Sequence, residues 1–257
     1  MSTTFKECPK CGHVRTPDET AAPEQCPACG IYFAKWLARD TFVPPAVLNA
    51  QTEDDDESPR WRDHIIDRIL YVPKDIDNIN IWGRAAIWIF LLVWGLRLAN
   101  MNYRDGEMAM SFMHNIVLPI HEAGHILFMP FGEFMTILGG SLFQVVFPLI
   151  IAGALLWTNR DAFGCAVGLW WASVSLVDVA PYIYDAFAPQ LILLGGQTGE
   201  DGPHDWIYLL GQFGKVHRSQ VYGAWAHHLG VVCMLLSLAF AAWALWRWHR
   251  VAGTMHN

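Results

Sequence analysis

From residue 81 onward the chain sets long apolar runs between short polar breaks. Five runs stand out, near 81–99, 111–131, 134–157, 163–184 and 225–247. A helix that crosses a bilayer needs roughly 20 apolar residues, and each run approaches that length. Arg84 and Arg97 lie near the ends of the first run, where long side chains reach the interface. The last run ends in WALWRWHR, an aromatic and basic anchor. The pattern predicts an all-α polytopic membrane protein with about five transmembrane helices. Residues 81–257 form its membrane-embedded domain.

The breaks predict further elements. Over 59–80, Trp61, Ile65, Ile66 and Ile69 fall on one helical face and Arg62, Asp63, Asp67 and Arg68 lie elsewhere. This reads as a short amphipathic interfacial helix with Ser58 and Pro59 at its start; a helix packed on protein fits equally well. EFMTIL, bracketed by Gly132 and the Gly139-Gly140 pair, reads as a strand-like edge that could hold an extended substrate by β-augmentation, or as a plain connection. GGQTGEDGPHDWIYLLGQFGKVHRSQ reads as a long polar loop.

Residues 1–39 are a different kind of segment. Cys8-x-x-Cys11 and Cys26-x-x-Cys29 each enclose a proline and precede a glycine. Two such turns bring four thiolates to one point, the spacing of a structural Zn2+ site. The segment is too small for a core, so the metal supplies most of its folding energy. It resembles a zinc ribbon, with His13 outside the ligand set. Residues 40–58, rich in Pro, Asp and Glu, read as a linker. The chain shows no internal repeat.

Composition agrees with the membrane reading: 53% of residues are hydrophobic, 16% are charged and 13 are Trp. The net charge of -7 is set by acidic residues before residue 80 and in the late loop. No basic face for nucleic acid is evident. The N-terminal stretch lacks the apolar core of a secretory signal. Cys165 and Cys233, alone in apolar runs, read as small packed hydrophobes. The expected location is the bacterial inner membrane, multi-pass, with the zinc ribbon in the cytosol. Five crossings would then put the basic C-terminal segment outside, against the positive-inside rule. A run that does not cross, or a re-entrant stretch near 186–213, removes the conflict.

Candidate chemistry sits inside the second run. LPIHEAGHILFMPF contains His121, Glu122 and His125 in the pattern H-E-x-x-H. On a helix, residues four apart share a face, so both imidazoles can hold one metal ion. Glu122 is placed to act as general base toward a zinc-bound water. An ionisable side chain in a bilayer span costs on the order of 3 kcal/mol, so its presence asks for a function. A His-Glu cluster that only ties helices together is the structural alternative.

A catalytic zinc needs a third protein ligand. Asp178 lies deep in the fourth run, with Pro181 able to open the backbone nearby; Asp185 follows on the same face. The late loop offers His204 and Asp205 as a further ligand or an orienting pair. These residues leave the third ligand open among Asp178, Asp185 and His204, with Asp178 the deepest. His227 and His228 read as interfacial.

Over about residues 110–190 the chain resembles the site-2-protease class of intramembrane zinc metalloproteases. The likeness is carried by H-E-x-x-H within a span, a glycine-bearing connection after it, and Asp178 in a later span. The context of Asp178 is LVDVAPY, where the family shows Asn-Pro and Leu-Asp-Gly. The resemblance implies a zinc metalloendopeptidase. His121, His125 and Asp178 would hold a catalytic Zn2+, beside the structural one, and Glu122 would be the base. It implies a membrane-embedded protein substrate, a lipid bilayer around the enzyme and a protein partner for the zinc ribbon. The rival expectation is a non-catalytic membrane adaptor or metal-handling protein with a structural zinc.

Overall fold

The computed structural model describes residues 6–37, 61–73 and 76–255, in two units that divide after residue 60. The expected linker, and the Ser58-Pro59 helix start, lie outside the described residues.

The first unit is built from two matching turns. In one, Gly12 N–H donates to the Cys8 carbonyl and Cys8 N–H to the His13 carbonyl, both at 2.9 Å. In the other, Gly30 N–H donates to the Cys26 carbonyl and Cys26 N–H to the Ile31 carbonyl, again at 2.9 Å. Gly12 (φ 70°) and Gly30 (φ 72°) take the left-handed conformation that closes each turn. Glu7 pairs with Val14 as Gln25 pairs with Tyr32. These turns are thus a repeat, contrary to the expectation of none. ECPKCGHV and QCPACGIY share only the Cys-Pro-x-Cys-Gly core, and the hydrogen bonds supply the rest of the likeness. A short helix α1 (Phe33–Leu37) follows, and Phe33 packs against Cys8 and Cys26.

The second unit is helical throughout its regular structure. Its elements are α2 (Trp61–Leu70), α3 (Asn78–Ala99), α4 (Phe112–Phe128), α5 (Glu133–Asn159), α6 (Ala162–Asp185), α7 (Asp205–Gly211) and α8 (Ser219–Met255). The termini are marked by side chains that accept the orphan N–H groups of a first turn. Asp77 caps α3, Ser111 caps α4, Asp161 caps α6 and His204 caps α7.

Among the described residues four helices, α3, α5, α6 and α8, are long and apolar enough to cross a membrane, against about five expected. The run at 111–131 breaks at Phe128 into a 3-10 turn, leaving α4 with 17 residues. At 1.5 Å per residue that is about 26 Å, short of a hydrocarbon core of about 30 Å. EFMTIL is the first turns of α5, so the strand-like edge is absent and so is the β-augmentation it was expected to support. Backbone bonding within one continuous helix prevails there over its strand-like composition. The long polar loop narrows, since α7 is folded from its middle.

α6 is the central helix, buried along most of its length, whereas α3 buries only Ile81, Leu91, Gly95 and Leu98. Met113 and Val117 of α4, Trp170, Val174 and Val177 of α6 and Met234 and Leu238 of α8 meet in one core. α4 and α5 approach through Gly124 and Gly139: a Cβ on Gly139 would stand 2.7 Å from the Gly124 carbonyl oxygen. This approach brings the H-E-x-x-H face of α4 against α5. α2 buries none of its residues. Its Asp67 pairs with Arg160 at 3.1 Å and Arg68 lies over Trp157, while Trp61, Ile66 and Leu70 stay exposed.

Candidate metal centres

In the first unit the Cys8 and Cys29 sulfurs are 3.7 Å apart and those of Cys11 and Cys26 are 3.8 Å apart. A disulfide needs about 2.05 Å. A tetrahedral zinc with Zn–S bonds of about 2.3 Å sets its sulfurs about 3.8 Å apart, so the four cysteines fit a metal ion. Burial disfavours the Cys8 thiolate, but N–H groups of Cys11 and Lys10 more than offset it and bring the thiol down to about 6. The His13 backbone favours the Cys11 thiolate, yet the Cys29, Cys8 and Cys26 sulfurs push that thiol up to about 12. Four thiolates crowded together require a cation to share. His13 is engaged with Glu19 at 2.8 Å, away from the cluster.

The second centre forms where α4, α5, α6 and the start of α7 meet. His121 and His125 bring their Nε2 atoms to one carboxylate oxygen, Asp205 Oδ2, at 3.1 and 3.3 Å. The far side of each ring is fixed. Gln144 Nε2 donates to the Ser175 carbonyl at 3.0 Å, which turns its Oε1 to accept from His121 Nδ1 at 2.6 Å. His125 Nδ1 donates to the Thr136 carbonyl at 2.8 Å. Both imidazoles therefore spend their proton on Nδ1 and present an Nε2 lone pair. Two lone pairs facing a carboxylate oxygen repel unless a proton or a metal ion lies among them. Bonds of about 2.0–2.1 Å to a tetrahedral zinc set donors about 3.3 Å apart, close to the separations found here. His121, His125 and Asp205 thus fit a divalent metal as a set of three.

The third donor that the structure brings to the histidine pair is Asp205. Asp178 does not join the His pair; its Oδ1 accepts from His114 Nδ1 at 3.0 Å. Asp185 and His204 are not in the set either. Asp185 Oδ1 accepts the Gln190 and Leu191 N–H groups at 2.8 and 3.2 Å. Its Oδ2 faces His204 Nε2 at 3.5 Å, and His204 Nδ1 accepts from Ile207 N–H. Each is used in shaping the loop, and His204 as the cap hands the cluster its neighbour Asp205. The capped first turn is held further by Asp205 N–H donating to Tyr182 Oη at 2.9 Å and Trp206 Nε1 donating to Ser141 Oγ at 3.1 Å.

The donors open onto a cavity of about 540 Å³, of the size that small-molecule sites use. Glu122, Tyr182, His114 and Asp178 line it, and Leu191–Leu194 from the loop supply an apolar wall. Gly140 of α5 keeps the centre open: a Cβ there would lie 2.5 Å from both Nε2 atoms. Sequence reasoning missed His114 and Tyr182, and offered Asp205 only as half of a His-Asp pair in the late loop. The available signal was helical spacing: 175, 178, 182 and 185 form one stripe of α6, and 114, 121 and 125 one stripe of α4. His227 is buried and stacks on Tyr103 with ring centres 4.5 Å apart.

Comparison with protein-family models, curated proteins and solved structures gives no match for this chain.

Proposed function

We propose that the membrane domain is an intramembrane zinc metalloprotease of the site-2-protease type. It would hydrolyse peptide bonds of membrane-embedded protein substrates. The observation that carries this reading is the number of donors at the second centre. Among the described residues three converge there, with a cavity on the open side, and His204 and Asp178 are engaged elsewhere. Structural zinc sites close with four protein ligands; catalytic ones hold three and keep a position free.

Bound zinc would supply Lewis acidity and lower the pKa of water to about 7. The chain's own groups do the rest. Glu122, next to a ligand and lining the cavity, takes the proton of the attacking water and returns it to the leaving nitrogen. Tyr182 accepts the Asp205 N–H, which leaves its own hydroxyl proton free to stabilise the oxygen that gains charge. Gln144 and Thr136 hold the two imidazoles in the ligating tautomer. A substrate helix must unwind first, because its peptide carbonyls are occupied by its own hydrogen bonds.

The surrounding membrane would be the bacterial inner membrane, with the zinc ribbon in the cytosol, where it recruits a partner or substrate. With four crossings the segments before α3 and after α8 would lie on the same side. The basic end of α8 would then obey the positive-inside rule that five crossings would violate.

The test is zinc content and cleavage of transmembrane substrates by purified protein and its Glu122→Gln variant. Two zincs per chain, with cleavage abolished in the variant, is the expected result. Cleavage that survives Glu122→Gln overturns the general-base role. A protein with two zincs and no cleavage favours the adaptor reading.

A further inference from the structure

The cavity has a second polar element, away from the metal donors. His114 comes from α4, Asp178 from α6, and they meet at 3.0 Å between Nδ1 and Oδ1. The Asp178 side chain is 4% exposed and that of His114 is 28% exposed, and both line the cavity. Between this pair and Glu122 the lining includes Leu118, and Val179 and the 191–194 stretch add to the apolar wall. An ionised carboxylate this buried is costly unless compensated, so the pair is held net neutral. Neutrality can be reached in two ways. Either Asp178 is ionised and His114 carries both protons, or Asp178 is protonated and His114 keeps one. In both cases the proton shared across the 3.0 Å contact accounts for Nδ1, and His114 Nε2 bears the other. An Nε2–H donor is therefore present wherever the shared proton lies, on a ring that lines the cavity.

We propose that His114 and Asp178 form a substrate subsite that donates a hydrogen bond to an acceptor oxygen of the bound chain. The proposal rests on the protease reading. His114 lies seven residues before His121 on the same helix, about 10 Å along its axis. An extended chain advances about 3.3 Å per residue, so the acceptor is about three residues from the bond being cut. Asp178 is a positioning residue, holding the ring and its charge state. The oxygen belongs either to a backbone carbonyl freed by unwinding or to a side-chain carboxylate.

The experiment uses the full-length, zinc-loaded protein in nanodiscs with leucyl hydroxamates of one to four residues as metal-directed probes. Affinity is expected to rise roughly tenfold at the length that reaches His114, a gain typical of a hydrogen bond to a charged group. His114→Phe should remove that step and His114→Gln, which keeps a donor, should retain it. A glutamate in place of leucine at the reaching position separates the sources: a further gain marks a carboxylate, no change marks the backbone carbonyl. Nitrogen-15 NMR of labelled histidine should show a protonated Nε2 on His114 that shifts in Asp178→Asn. An identical length series in wild type and His114→Phe overturns the proposal, as does an unprotonated Nε2. Loss of the membrane-domain zinc in Asp178→Asn also overturns it, since Asp178 would then be a ligand. Hydroxamate binding with the His114 step but without peptide cleavage overturns the protease reading and leaves the subsite standing.

Discussion

Gln144 and His121, from different helices, share a 2.6 Å hydrogen bond in which the amide oxygen accepts from Nδ1. Its direction is set by a third helix, because the amide nitrogen is committed to the Ser175 carbonyl of α6. A buried glutamine thereby decides which nitrogen of His121 is available to a metal.

Replacing Gln144 with Leu should leave the helices intact and lower zinc affinity of the second centre by about 10- to 100-fold, the usual loss when such a partner is removed. Zinc competition titration reads this directly. Gln144→Glu keeps the acceptor and should lose less. Equal affinity in wild type and Gln144→Leu would show that the bond does not tune the site.

Asp205→Ala should reduce zinc from two per chain to one, because it removes one of three donors. His204→Ala should weaken binding without abolishing it, since His204 acts only by capping the turn that carries Asp205. Metal analysis after extensive dialysis distinguishes a lost ligand from a displaced one.

Gly140→Ala should empty the second centre while the protein still folds, since the added methyl would lie 2.5 Å from the two Nε2 atoms. Gly139→Ala acts differently, by forcing α5 away from α4. Overpacking of this kind typically costs about 1–3 kcal/mol, visible as a lower midpoint of thermal unfolding in detergent. Full zinc content in Gly140→Ala would contradict the geometry.

The double change Cys8→Ser and Cys11→Ser should remove one zinc and unfold the first unit, whose buried side chains are little more than Cys8, Cys26 and Phe33. The membrane domain should keep its metal and helicity. Circular dichroism together with zinc counting checks both halves of this expectation.

Asp161 caps α6 through the Gly164 N–H at 2.9 Å and also binds Arg84 through both carboxylate oxygens at 2.8 and 3.0 Å. Loss of a cap costs about 1 kcal/mol. Asp161→Asn keeps the cap and loses the ion pair, so it should be milder than Asp161→Ala. Comparing their unfolding midpoints apportions the two roles.

The chain's local chemistry was legible because it is local. Apolar runs must become helices where no water can satisfy the backbone, and H-E-x-x-H places two imidazoles on one face through helical period alone. The paired Cys-Pro-x-Cys-Gly turns define their metal cluster from a few consecutive residues. The partner of Asp178 was not legible, for the opposite reason. Depth in an apolar run says that a carboxylate needs a partner and does not say which one. The same spacing that places Asp178 on a stripe of α6 places Tyr182 and Asp185 there too, and each finds a partner on a different element. Only the tertiary structure could assign them. The close approach of α4 to α5 at Gly124 and Gly139, and the cap on α7, bring Asp205 to the histidines while His114 takes Asp178. Such pairings depend on helix crossing and loop course, which join residues distant in sequence, whereas the pattern of a single helix is written into its own residues.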